Sequence, residues 1–110
     1  MQLTKLLEGT AVIENNELAG YTDTREINLE YYMLEVDGYN PEIDQQRVYG
    51  IQIVKTEVDR TNKINTETQL IPDISTNKES VKSILQKLIV HKVTPIALYN
   101  VLEDIIGVYN

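Results

Sequence analysis

The hydrophobic period of the chain changes once, and that change constrains the fold more than any single residue does. Between Glu26 and Leu70 apolar residues recur at every second position, the spacing of strands with one face on a core. From Val81 onward they recur at three and four, the spacing of helices packed on one side. Pro72 stands between the two regimes. Strands first and helices second define an α+β protein. The expected architecture is an antiparallel β-meander of three to five strands, followed by a C-terminal antiparallel helical hairpin packed on one face of the sheet. The 110 residues suit a single domain, with 1–72 mainly β, 76–92 a helix and 94–109 a second helix.

Within the β region, Ile27, Leu29, Tyr31 and Met33 alternate on one face before Leu34 and Val36 take the other. Tyr49, Ile51 and Ile53 alternate in the same way before Val54, Thr56 and Val58 take over. A slip of phase predicts either a bulge or a strand covered on both faces at one end. Two matching slips predict that Glu26–Asp37 and Arg47–Val58 pair as a long twisted hairpin. Asp59 to Asn62 reads as a turn, and Ile64, Thr66, Thr68 and Leu70 as a third strand ended by Pro72. Upstream, Thr10–Glu14 reads as a short strand, Asn15-Asn16 as a turn and Glu17–Tyr21 as its hairpin partner.

In the helical region Thr76 and Glu79 form the pattern of a capping box. Val81, Ile84, Leu85, Leu88 and Ile89 then make one apolar stripe. Thr94 and Pro95 open the second helix, because proline at the first helical position loses no hydrogen bond. Its apolar positions are Ala97, Leu98, Val101, Leu102, Ile105, Ile106, Val108 and Tyr109. On a continuous α-helix they span roughly 200°, whereas packing on one surface needs a little over 100°. The excess makes Ala97, Leu98, Val101, Ile105, Val108 and Tyr109 the expected interface, toward a second copy of the chain or another protein.

The residue inventory is poor in chemistry. Without cysteine there are no disulfides and no thiolate nucleophiles or metal ligands, which fits a reducing compartment. No P-loop, dinucleotide glycine pattern or nucleophile elbow occurs. The one histidine, His91, falls near a helix C-terminus, where a cation is favoured by the dipole. Asp37, Asn40, Glu42 and Asp44 gather oxygen atoms in one loop but lack the calcium-loop pattern. No catalytic residue, cofactor or metal is therefore expected. The net charge is −7, and residues 1–44 hold ten acids against Lys5 and Arg25. That balance argues against nucleic acid, whose phosphates need cations, and against an anionic membrane surface. The helix starting at Pro95 offers Ile96, Ala97, Leu98 and Tyr99 where a DNA-reading helix carries polar residues. No stretch reaches the ~18 apolar residues of a membrane span, and the N-terminal residues lack a signal peptide's apolar region. The expected location is cytoplasmic.

These readings favour a non-catalytic protein-interaction or regulatory module. The alternatives are a small-molecule or metal-binding domain, and an acidic decoy or inhibitor whose negative surface occupies a basic site on another protein.

Three segments also carry a resemblance. They are Tyr49-Gly50-Ile51-Gln52-Ile53, then Ile71 with Ile74-Ser75, then Val93-Thr94-Pro95-Ile96-Ala97-Leu98 running to Leu102-Glu103-Asp104. Over residues 26–106 the chain resembles a family of small uncharacterised proteins of clostridia and related Firmicutes. The resemblance implies the same α+β architecture and a Firmicutes or phage origin. It brings no activity with it, and this chain has Ala97 where a histidine is common in that family.

Overall fold

A computed structural model describes residues 3–14, 24–37 and 47–106, with the side chains of residues 24 and 25 left aside. Four strands form one antiparallel sheet in the order of the chain: β1 (Leu3–Ile13), β2 (Thr24–Asp37), β3 (Arg47–Asp59) and β4 (Ile64–Ser75). The helices α1 (Lys78–Val90) and α2 (Leu98–Ile106) follow, with a 3₁₀ turn at Pro95–Ala97 leading into the second. The sequence-based α+β meander is therefore present, with β1 beginning seven residues before the expected Thr10. Asn15-Asn16 and Glu17–Tyr21 lie outside the described residues, as does the loop carrying Asn40, Glu42 and Asp44.

Alternation along the paired strands gives the sheet two unlike faces. Ile27, Leu29, Tyr31 and Met33 on β2, with Ile51 and Ile53 on β3, are all buried on one of them. On that face the core is completed by Val81, Ile84, Leu85 and Leu88 of α1, Val93 of the connector, and Leu98 and Leu102 of α2. Burying each such side chain contributes on the order of 1.5–3 kcal/mol. Three contacts set the helix layer on the sheet. Lys78 at the start of α1 reaches Glu35 near the end of β2, at 3.2 Å. In the last turns of α1, Ile89 packs over Gly9 of β1, where a Cβ would lie 2.7 Å from the isoleucine Cδ1. Beyond α1, the Tyr31 hydroxyl donates to the Val93 carbonyl at 2.9 Å. The 3₁₀ turn itself packs against β3 and β4.

The predicted phase slip has a different origin from a bulge. From Glu26 to Asp37, β2 keeps an unbroken register with β3. Leu34 simply faces the other side of the sheet and is buried there. The reason lies in β4. Tyr49 pairs with Ser75 and Ile51 pairs with Ile71, so Pro72, Asp73 and Ile74 all stand opposite Gly50 alone. The extra residues arch close over Gly50. A Cβ at that position would meet backbone atoms of Ile71 and Pro72. Leu34 is the cross-strand partner of Gly50 and lies beside the arch. That end of the sheet is thus covered on both sides. The slip in β3 is unrelated, since Val54 and Val58 pair with Glu30 and Glu26 at the far end. Pro72 does not end the strand as expected; β4 continues through it to Ser75.

Local chemistry moves several boundaries. The α1 N-cap is Asn77, not Thr76: its side-chain oxygen accepts from the Ser80 amide at 3.1 Å. The helix closes at His91, and Lys92 then takes a positive φ of 51° that turns the chain toward Val93. Pro95 begins a 3₁₀ turn rather than an α-helix, with Thr94 making no side-chain cap. In the β3–β4 turn the Asp59 carboxylate accepts from the Thr61 hydroxyl and from the amides of Thr61 and Lys63. Those bonds, led by the Thr61 hydroxyl, hold its pKa below the ordinary value.

Two substitutions test this packing. Gly50→Ala forces a methyl group into backbone that cannot yield, and a loss of about 1–3 kcal/mol is expected in urea denaturation. Tyr31→Phe leaves the Val93 carbonyl without its donor in a buried site, and a cost of roughly 1–3 kcal/mol is expected by the same measurement. A wild-type midpoint in either variant contradicts the contact assigned to it.

Candidate interaction surface

The interface expected from the sequence falls on and around α2. Leu98 and Leu102 are wholly buried in the chain's own core. Ala97, Val101 and Ile105 are half-buried and pack against that core. Val108 and Tyr109 lie outside the described residues. Because Pro95–Ala97 is a 3₁₀ turn, the α-helical phase begins only at Leu98. Counted from there, Leu98, Val101, Leu102 and Ile105 fill an arc of about 100°, the width that one packing surface requires. The surplus apolar surface sits on other residues: Ile96, which is 84 % exposed, and Tyr99 and Ile106.

Among the described residues, the more extensive unpartnered surface is the sheet face opposite the helices. Register places its side chains in rows across the strands. One row runs Leu7, Tyr32, Gln52, Leu70 over all four strands. Its ends are the open part: Leu7 is 55 % and Leu70 45 % exposed. The row on one side begins with Lys5 and Leu34, and the row on the other runs Thr10, Glu30, Val54, Thr68. Charge is sparse here. Lys5 lays its ammonium over the Tyr32 ring, 4.1 Å from the centroid. Desolvation, followed by a hydrogen bond and the charge of Glu30, raises the Tyr32 pKa. Lys5, Tyr32 and Glu30 therefore form one interacting cluster across the middle of the face.

Sequence reasoning missed this face because β1 carries a bulge. Leu7 pairs with Tyr32 and Gly9 with Tyr31, leaving Glu8 as the extra residue. The alternation of Leu3, Lys5 and Leu7 is thereby cut off from that of Thr10 and Val12, and only the second fragment reads as a strand. The signal present in the sequence was Gly50, where the backbone of Ile71 and Pro72 approaches this face.

The helix-covered side carries the ionic structure. Lys55 is only 8 % exposed and is the one charged residue buried among those described. Its ammonium pairs with Glu57 at 3.0 Å and Glu67 at 3.3 Å. Burial on its own would lower the Lys55 pKa; the bonds and charges of the two glutamates outweigh it and raise the value above 10.5. At the other end Glu35 is held between Lys78 at 3.2 Å and Arg47 at 3.8 Å, and Arg47 also pairs with Asp37 at 3.0 Å. These carboxylates are occupied by the chain's own cations. His91 is exposed at the α1 C-cap. Among the described residues no group of three or more His, Asp or Glu side chains converges as a metal site, and no helix is long and apolar enough to cross a membrane.

The fold and surface define an α+β protein whose sheet is covered by helices on one face and, among the described residues, largely open on the other. The chain belongs to a family of unknown function, DUF6514, whose pattern matches residues 10–108. No curated protein and no solved structure matches it.

The Lys55 cluster yields a pH prediction. A lysine whose folded pKa is raised adds stability that is complete below its unfolded pKa and is lost as pH rises through the folded one. Wild-type protein is expected to lose more stability than Lys55→Met between pH 8 and about 11. Equal losses in urea denaturation contradict the ion-paired assignment.

Proposed function

We propose that the chain is a non-catalytic protein-interaction module whose working surface is the open face of the sheet. The observation that carries this reading is the row Leu7, Tyr32, Gln52, Leu70, flanked by few charges in a chain that is otherwise rich in them. Depletion of charge around tyrosine and exposed aliphatic groups characterises the centres of protein interfaces. In this reading α1 and α2 form an antiparallel hairpin that seals the other face, and Ile96, Tyr99 and Ile106 serve at most as a rim.

The alternatives draw less support. A decoy acting through negative charge needs free carboxylates, whereas Glu35, Glu57 and Glu67 are paired within the chain. A metal-binding role draws no support from a group of three or more His, Asp or Glu side chains among the described residues.

Site-directed photocrosslinking tests the proposal. A crosslinker at position 70 is expected to capture protein in cells that make the chain, while one at position 83 on the exposed side of α1 captures none in common with it. Equal capture at both positions, or none at position 70, would count against the open face as the working surface.

A further inference from the structure

The charges on the open face are placed so that two copies of it are complementary, and this deepens the interaction reading, on which it rests. We infer that the face pairs with itself. The arrangement is a two-fold symmetric dimer, sheet against sheet, with the axis crossing the strands over the row of Leu7, Tyr32, Gln52 and Leu70.

Lys5 on β1 lies one row to one side of that axis, and Glu30 on the neighbouring strand β2 lies one row to the other. A two-fold rotation exchanges the two flanking rows and keeps the strand order. It therefore brings each Lys5 toward the Glu30 of the other copy, giving two equivalent ion pairs from one mismatched-looking pair of residues. Tyr32 already holds Lys5 flat against the sheet, so little side-chain freedom remains to be lost. The same rotation sets the arch at Pro72 against Val54 and Thr68 of the other copy, which are short side chains that leave it room. Leu7 meets Leu7 of the other copy at one end of the row, and Leu70 meets Leu70 at the other. The net charge of −7 opposes any pairing of two copies, so a face with few charges is where they repel least.

Size agrees with the proposal. Strands spaced ~4.8 Å apart with a rise of ~3.4 Å per residue give a four-stranded, ten-residue face a footprint of roughly 650 Å². A stable interface takes about 800 Å² of accessible surface per partner. Inner faces of two stacked sheets lie ~10 Å apart, a gap that aliphatic and tyrosine side chains fill.

Sedimentation equilibrium on the full chain, with far-UV circular dichroism to verify folding, tests the inference. The wild type is expected to be dimeric at about 100 µM and to dissociate on dilution. Leu7→Lys with Leu70→Lys is expected to be monomeric with an unchanged spectrum, since both side chains are already exposed. If that pair misfolds, Leu7→Thr with Leu70→Thr takes its place. Lys5→Glu and Glu30→Lys are each expected to weaken the dimer by about tenfold, and the double exchange to restore it. A dimer insensitive to the leucine changes, or a double exchange that stays weak, overturns the arrangement. A wild-type monomer at every concentration overturns it too. If crosslinking at position 70 then still captures a different protein, the interaction module survives without self-pairing; if it captures nothing, both fall.

Discussion

One-sided burial on the central strand β2 is the constraint on which the rest of the molecule depends. Ile27, Leu29, Tyr31 and Met33 point to the same side and are removed from water by a single layer of helix. The helices have no other core of their own: Leu85 and Leu88 of α1 and Leu98 and Leu102 of α2 are buried in that same cluster. The position of the layer is then fixed by a polar contact, the Tyr31 hydroxyl on the Val93 carbonyl. Burial raises the Tyr31 pKa well above its ordinary value.

With its helices spent on one side, the chain has no further described element to lay over the other except the arch of β4 at Gly50. Coverage there is local, and it protects Leu34 while leaving Leu7 and Leu70 open. A sheet with one dry face and one partly apolar open face resembles half of a two-layer sandwich. The contrast in charge between that face and the whole chain is what turns an architectural remainder into a candidate working surface.

Much of this was legible in the residues. The switch of period near Pro72 locates the β-to-α transition because strands and helices expose their side chains with incommensurate repeats. Val81, Ile84, Leu85 and Leu88 are the buried stripe of α1 that the sequence indicates. What was not legible depended on contacts distant in sequence. The alternation of Leu34 could not reveal that Pro72 lies over Gly50, and the bulge at Glu8 hid most of β1. The start of the second helix was not legible either: proline at position 95 favours a helical start but does not distinguish a 3₁₀ turn from an α-turn, and α2 begins only at Leu98.

Which face the molecule offers to others decides how it works. Carbene footprinting of the pure protein over a dilution series reads it most directly. The account requires labelling of Leu7, Tyr32 and Leu70 to rise as the protein is diluted, while Ile96 and Tyr99 are labelled equally throughout. Constant labelling of the sheet residues, with protection moving instead to the second helix at high concentration, would contradict it.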